Sequence, residues 1–157
     1  MRYACAMLSL LNIVRRVRHG MTLGVRVLAC DDAGRLLLVR HTYVSGWHLP
    51  GGGVDLGETA IEAAHRELRE ETNVEVAGGP EGGLSLVGLY FNPQVGGRDH
   101  VALFQAGPLV IGPRPERNLE IVAAEFFTFD ALPEDLTPAT RRRLSEWREG
   151  APRSHHW

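Results

Sequence analysis

With 157 residues, 44% of them hydrophobic and 23% charged, the chain has the size and composition of one soluble domain that can bury a sizeable core. A net charge of −2 at pH 7 argues against a binder of long nucleic acid through a broad basic face. Cys5 and Cys30 stand alone, with no spacing suited to zinc or to a disulfide framework, which fits a reducing, cytoplasmic setting.

In chain order, Met7, Leu10, Leu11, Val14 and Val17 recur at helical spacing, while Ser9, Asn12, Arg15, Arg16 and His19 fall mostly on the opposite side. Residues 1–19 are therefore read as an amphipathic helix ahead of the main domain. Its apolar run is too short and interrupted to span a bilayer, and its basic residues follow the run instead of preceding it as in a signal peptide. The stripe suits packing on its own domain or on a second copy in a homo-oligomer; followed by Arg15, Arg16 and Arg18, it also suits weak contact with an anionic membrane.

Residues 20–150 are assigned to the main domain. Met21 to Cys30 and Arg35 to His41 read as strands joined by the turn Asp31-Asp32-Ala33-Gly34, together a hairpin. Thr59-Ala60-Ile61-Glu62 has the form of a capping box, so a helix begins near Ala60, and Ala60, Ala63, Ala64 and Leu68 give it a small-residue stripe for close approach to a sheet. Leu84 to Phe91, His100 to Ala106 and Ile121 to Phe129 read as further strands, with Gly107 to Asn118 as a loop. Thr137 with Pro138 opens a last helix that runs to about Glu149. Residues 151–157, including His155-His156, are expected to be a disordered tail.

The segment that carries chemistry is Gly52 to Val74. Glu67, Glu70 and Glu71 stand at i, i+3 and i+4, within an arc of about 100° on one helix face. Like charges so spaced cost a helix about 0.2–0.5 kcal/mol per pair, and an ordinary solvated face would interleave them with Lys or Arg. A divalent cation explains the arrangement, and oxygen-only donors favour Mg²⁺ or Mn²⁺ over zinc.

Counted from Gly52, five residues lead to Glu58, seven more to Arg66-Glu67-Leu68, one to Glu70-Glu71 and one to Asn73-Val74. This pattern resembles the box of the Nudix hydrolase family at every position except Asn73, where the family has Gly; Asn is the residue that best replaces Gly in the left-handed conformation ending a helix. The flank Trp47 to Gly57 looks like the family's entry segment, with Asp55 where Glu is commoner.

The resemblance implies an α+β fold, the Nudix-type α/β/α sandwich with a mixed sheet between helices, over nearly the whole chain except the N-terminal helix. It also implies a metal held by Glu67, Glu70, Glu71 and the Gly51 carbonyl, Arg66 orienting a glutamate, and Glu58 at the edge of the site. The reaction it implies is attack of water on phosphorus in a nucleoside diphosphate linked to another moiety, a small-molecule nucleotide substrate. Glu70 and Glu120, the latter at the end of the 107–118 loop, are the candidate general bases. A catalytically silent module that senses nucleotides or binds proteins is the alternative, but it has no need of three intact glutamates. Arg26, Arg40 and Arg98 could each reach phosphate, whereas the seven histidines have no ligand spacing and are read as surface or hydrogen-bonded core. No signature of a nicotinamide dinucleotide site is present, so no organic cofactor is expected.

Overall fold

The structure is a computed structural model that describes residues 20–79, 82–113, 115 and 119–157; the expected helix over residues 1–19 lies outside the described residues. Eight strands and two helices follow in the order β1 Thr22–Leu28, β2 Leu36–His41, β3 Trp47–His48, α1 Ala60–Thr72, β4 Val74–Val76, β5 Leu84–Asn92, β6 Asp99–Ala106, β7 Leu109–Ile111, β8 Ile121–Phe127 and α2 Pro138–Arg148. One sheet is mixed, in the order β1-β6-β5, with β1 parallel and β5 antiparallel to β6. A second sheet, β3-β2-β8, is antiparallel, and β4 pairs with β7 in a separate two-stranded ladder.

Strand alternation turns these sheets into the middle layer of a sandwich. Val25, Val27 and Ala29 point to one side, where they bury Ala63, Ala64 and Leu68 of α1 together with Leu37, Ala102 and Phe104. Their neighbours Leu28, Leu36, Leu38 and Leu103 point to the other side and pack with Trp47, Leu49 and Leu144 of α2. The small-residue stripe of α1 is thus its buried face, and the α/β/α layering is observed.

The expected hairpin is confined to its base, where Cys30 bridges Leu36 antiparallel. The turn forms, with Gly34 N–H donating to Asp31 O and Leu37 N–H to Ala29 O, but beyond it β1 joins β6 while β2 joins β8. The outer edge of β1 is taken by the glycine segment: Val27 donates to Pro50 O and Val25 to Gly52 O, each through its backbone N–H. Within the 107–118 segment read as loop, Leu109–Ile111 forms β7 against β4. Residues 151–157 are likewise not a loose tail, since the segment ending at Trp157 lies along β5. Among the described residues no helix is long and apolar enough to cross a membrane.

Candidate active site

Helix α1 builds the site, and its two ends are fixed by local chemistry. Thr59 Oγ1 accepts from the Glu62 N–H at 3.2 Å while Glu62 Oε2 accepts from the Thr59 N–H at 2.7 Å, the reciprocal capping box. Asn73 ends the helix at φ 54°, its N–H returning to Arg69 O, and its side-chain amide donates to Pro113 O at 3.1 Å.

Between these ends lies the carboxylate ledge. Glu71 is buried, and its Oε2 accepts the Gly51 N–H at 2.8 Å. Burial pushes its carboxyl up to about 7 against the pull of that N–H and of Arg26, and the charges of Glu67 and Glu120 act in the same direction as burial. Glu67 is half-buried and also raised, chiefly by burial, although its Oε1 accepts from Arg66 at 2.8 Å. Glu70 is exposed and lies 3.4 Å from the same guanidinium. The glycines opposite are steric requirements: a Cβ on Gly52 would stand 2.5 Å from Glu67 Oε1, and one on Gly51, at φ 138°, 2.1 Å from Val25 O.

Arg66 organises the rim. It grips Glu58 through Nε at 3.1 Å and Nη2 at 2.7 Å, reaches Gly53 O at 3.0 Å, and holds Glu67 from Nη1. These hydrogen bonds, led by that to Glu58, raise its pKa and hold Glu58 below the usual carboxylate range. Glu58 also accepts the Asp55 N–H at 2.7 Å, which ties the entry loop to the helix.

The donor set is chemically suited to a hard divalent cation: three carboxylates on one face, two of them resisting ionisation because they are buried, beside a loop whose Gly52 leaves space at Glu67. Among the described residues no three His, Cys, Asp or Glu side chains close on one point, because Glu67 and Glu70 turn to Arg66 and Glu71 to the Gly51 amide.

Glu120, just before β8, is near enough to the ledge for its charge to be felt there. Its carbonyl accepts the Thr42 N–H at 2.8 Å, and its charge acts on both Glu71 and Tyr43. Arg26 stands at the site, donating to Leu49 O at 2.9 Å with Glu71 as its leading charge partner. Arg40 instead pairs with Asp135 at 3.4 Å.

The histidine reading needs correction at His41. Its ring is buried, its Nε2 lies 3.5 Å from Glu71 Oε1, and neither ring nitrogen has a hydrogen-bond partner. Burial, then the charges of Arg26 and His48, lowers its pKa to about 4, so near neutral pH the contact with Glu71 is not an ion pair. His41 and Arg26 open onto a cleft of about 470 Å³ that is also lined by Tyr43, Gln94 and Trp157. No spacing in the sequence pointed to this cleft, because its walls come from separate strands, loops and the final segment.

Comparison with known proteins agrees with the box and the fold. The NUDIX domain model matches residues 20–147, and the chain belongs to that family, a pyrophosphohydrolase by class. Among its relatives, a putative 8-oxo-dGTP diphosphatase of Bacillus subtilis is 31% identical over 131 residues, which cover 83% of this chain and 82% of that protein. An RNA pyrophosphohydrolase of Halorhodospira halophila is 40% identical over 55 residues, only 35% of this chain and 30% of that protein. Among solved structures, a MutT NUDIX hydrolase from Burkholderia pseudomallei superposes with a TM-score of 0.65 at 27% identity, covering 79% of this chain and 95% of the other. An ADP-ribose pyrophosphatase from Streptococcus suis gives 0.60 at 25% identity, with 87% and 95% covered.

Proposed function

We propose that this protein is a Mg²⁺- or Mn²⁺-dependent hydrolase of a free nucleotide, cleaving the pyrophosphate linkage between a nucleoside diphosphate and another moiety. The observation that carries the reading is the buried Glu71, held against the Gly51 N–H with its carboxyl raised to about 7, beside a cleft lined by Arg26. A fold gains nothing from such a carboxylate unless a cation answers its charge. The relatives carry the names putative 8-oxo-dGTP diphosphatase, ADP-ribose pyrophosphatase and RNA pyrophosphohydrolase, and the cleft and net charge favour the first two substrate classes over a long polymer.

In this reading Glu67, Glu70 and Glu71, with the Gly51 carbonyl, hold the cation. When bound, it supplies positive charge to the phosphate oxygens and to the attacking water. Arg66 keeps Glu58 and Glu67 in place, and Arg26 meets phosphate at the mouth of the cleft. Water oxygen bonds to phosphorus as the bridging P–O bond breaks, and Glu120 takes the water's proton.

A nucleotide panel assayed with Mg²⁺ and Mn²⁺ tests the reading, with wild type and Glu120→Gln compared across metal concentration. Wild type is expected to turn over at least one diphosphate-linked nucleotide only with metal, and Glu120→Gln to lose about 10²–10⁴-fold in rate with unchanged metal affinity. A fall in metal affinity makes Glu120 a ligand, and a wild-type rate moves the base to Glu70.

A further inference from the structure

Residues 153–157 are fastened to the domain by an unusual number of contacts for so short a segment. Phe91 donates its N–H to His155 O at 2.8 Å and accepts the Trp157 N–H at 2.9 Å, so the segment runs parallel beside β5. From α2, Arg142 reaches Trp157 O at 2.6 Å and Arg143 reaches His156 O at 3.0 Å. Glu146 Oε1 accepts from both Arg143 at 2.6 Å and the Ser154 N–H at 2.9 Å. Arg143 is fully buried, 4.0 Å over the Tyr90 ring and 5.6 Å from the Trp157 ring. A buried guanidinium is tolerated only when its charge is met, and here it is met by groups that fix the position of Trp157.

Trp157 is a wall of the cleft that reaches Arg26 and His41 beside the carboxylate ledge. The His41 side chain is 4% exposed and neither ring nitrogen has a hydrogen-bond partner, the nearest contact being Glu71 Oε1 at 3.5 Å from Nε2, so the cleft contains a buried polar group with hydrogen-bonding capacity to spare. Such a group calls for a polar ligand. An indole wall, an unpaired imidazole and the Gln94 amide together match a planar heteroaromatic ring with donors and acceptors on its edge. A volume of about 470 Å³ is ample for a base and its sugar.

Building on the reading of this chain as a nucleotide pyrophosphohydrolase, we propose that the 153–157 segment walls a nucleobase pocket in which Trp157 is a base-stacking residue. The base lies against Trp157 and His41 while the phosphates extend past Arg26 to the ledge. Arg143, Tyr90 and Glu146 are positioning residues that act through the segment.

Calorimetric binding of AMP and GMP, and of inorganic pyrophosphate with Mg²⁺, to wild type, Trp157→Ala and Trp157→Phe tests this. Loss of one stacking face is expected to weaken nucleotide binding by about tenfold in Trp157→Ala, with Trp157→Phe within about threefold of wild type. Pyrophosphate, which has no base, should bind all three proteins alike. Equal weakening of nucleotide and pyrophosphate would mean that Trp157 is only structural, and unchanged nucleotide binding would show that the base lies elsewhere; either result overturns the pocket. Neither result bears on metal-dependent turnover of the panel by wild type, which tests the underlying reading separately, whereas a wild type with no turnover and no nucleotide binding removes the pocket and that reading together.

Discussion

Glu71 is held in the protonated form more strongly by the folded chain than by the unfolded one. Its ordinary value is 4.5 and burial raises it to about 7, so between these pH values the native state carries a proton that the unfolded state has lost. Stability from this group is therefore greatest below pH 4.5 and declines as pH rises through about 7. Glu71→Gln keeps an oxygen for the Gly51 N–H and removes the charge. At pH 8 the metal-free variant should be more stable than wild type by on the order of 2–3 kcal/mol, with the gain vanishing near pH 4.5. If a cation normally answers this charge, Mg²⁺ at pH 8 should raise the melting temperature of wild type and not of the variant. Identical melting curves at pH 8, with and without Mg²⁺, would contradict both expectations.

Helix α1 shows what can be read from one element and what cannot. Its start at Ala60, its buried alanine stripe and its stop at Asn73 all follow from residues within a few positions of each other, and all are observed. The ledge was legible for the same reason, since three carboxylates on one helix share a face whatever surrounds them. The Asn73 cap also does something the family's glycine could not, because its amide anchors the loop at Pro113. Asn73→Ala forfeits that bond and leaves a left-handed residue without the polar side chain that makes Asn tolerant of it, and should destabilise by about 1–2 kcal/mol. Asn73→Gly relieves the backbone and loses only the anchor, so its melting temperature should fall between those of wild type and the alanine variant; a glycine variant above wild type would mean the backbone term outweighs the anchor, and one below alanine would contradict the left-handed strain. Strand partners were less accessible. The β1–β2 turn looked like a hairpin because a turn is local, whereas the choice of β6 for β1 and β8 for β2 is made across the whole chain. The cleft was hidden for that reason too. His41, Gln94 and Trp157 lie far apart in sequence, and the final segment looked loose because nothing in residues 151–157 announces the buried Arg143 that holds it.

The two cores share their backbone. Val27 and Leu28 are adjacent in β1, yet one faces α1 and the other α2, and Leu37 and Leu38 of β2 divide in the same way. A strand cannot leave one core and keep its place in the other, so the sandwich should unfold as a unit. The three tryptophans allow a sharp test, since Trp47, Trp147 and Trp157 all belong to the α2 side. Leu68 is fully buried on the opposite side. Truncating Leu68→Ala opens a cavity under α1 and should cost about 2–5 kcal/mol. In urea, the fluorescence midpoint, which reports only the α2 side, should then fall by as much as the far-ultraviolet circular dichroism midpoint, which reports both. A fluorescence midpoint left at the wild-type value while the dichroism midpoint falls would show that the cores unfold separately. In that case the ledge on α1 could open while the cleft wall at Trp157 stayed closed. Coincident midpoints would instead tie metal ledge and cleft to one folding equilibrium, so that a cation bound at Glu71 also stabilises the wall against which the nucleotide packs.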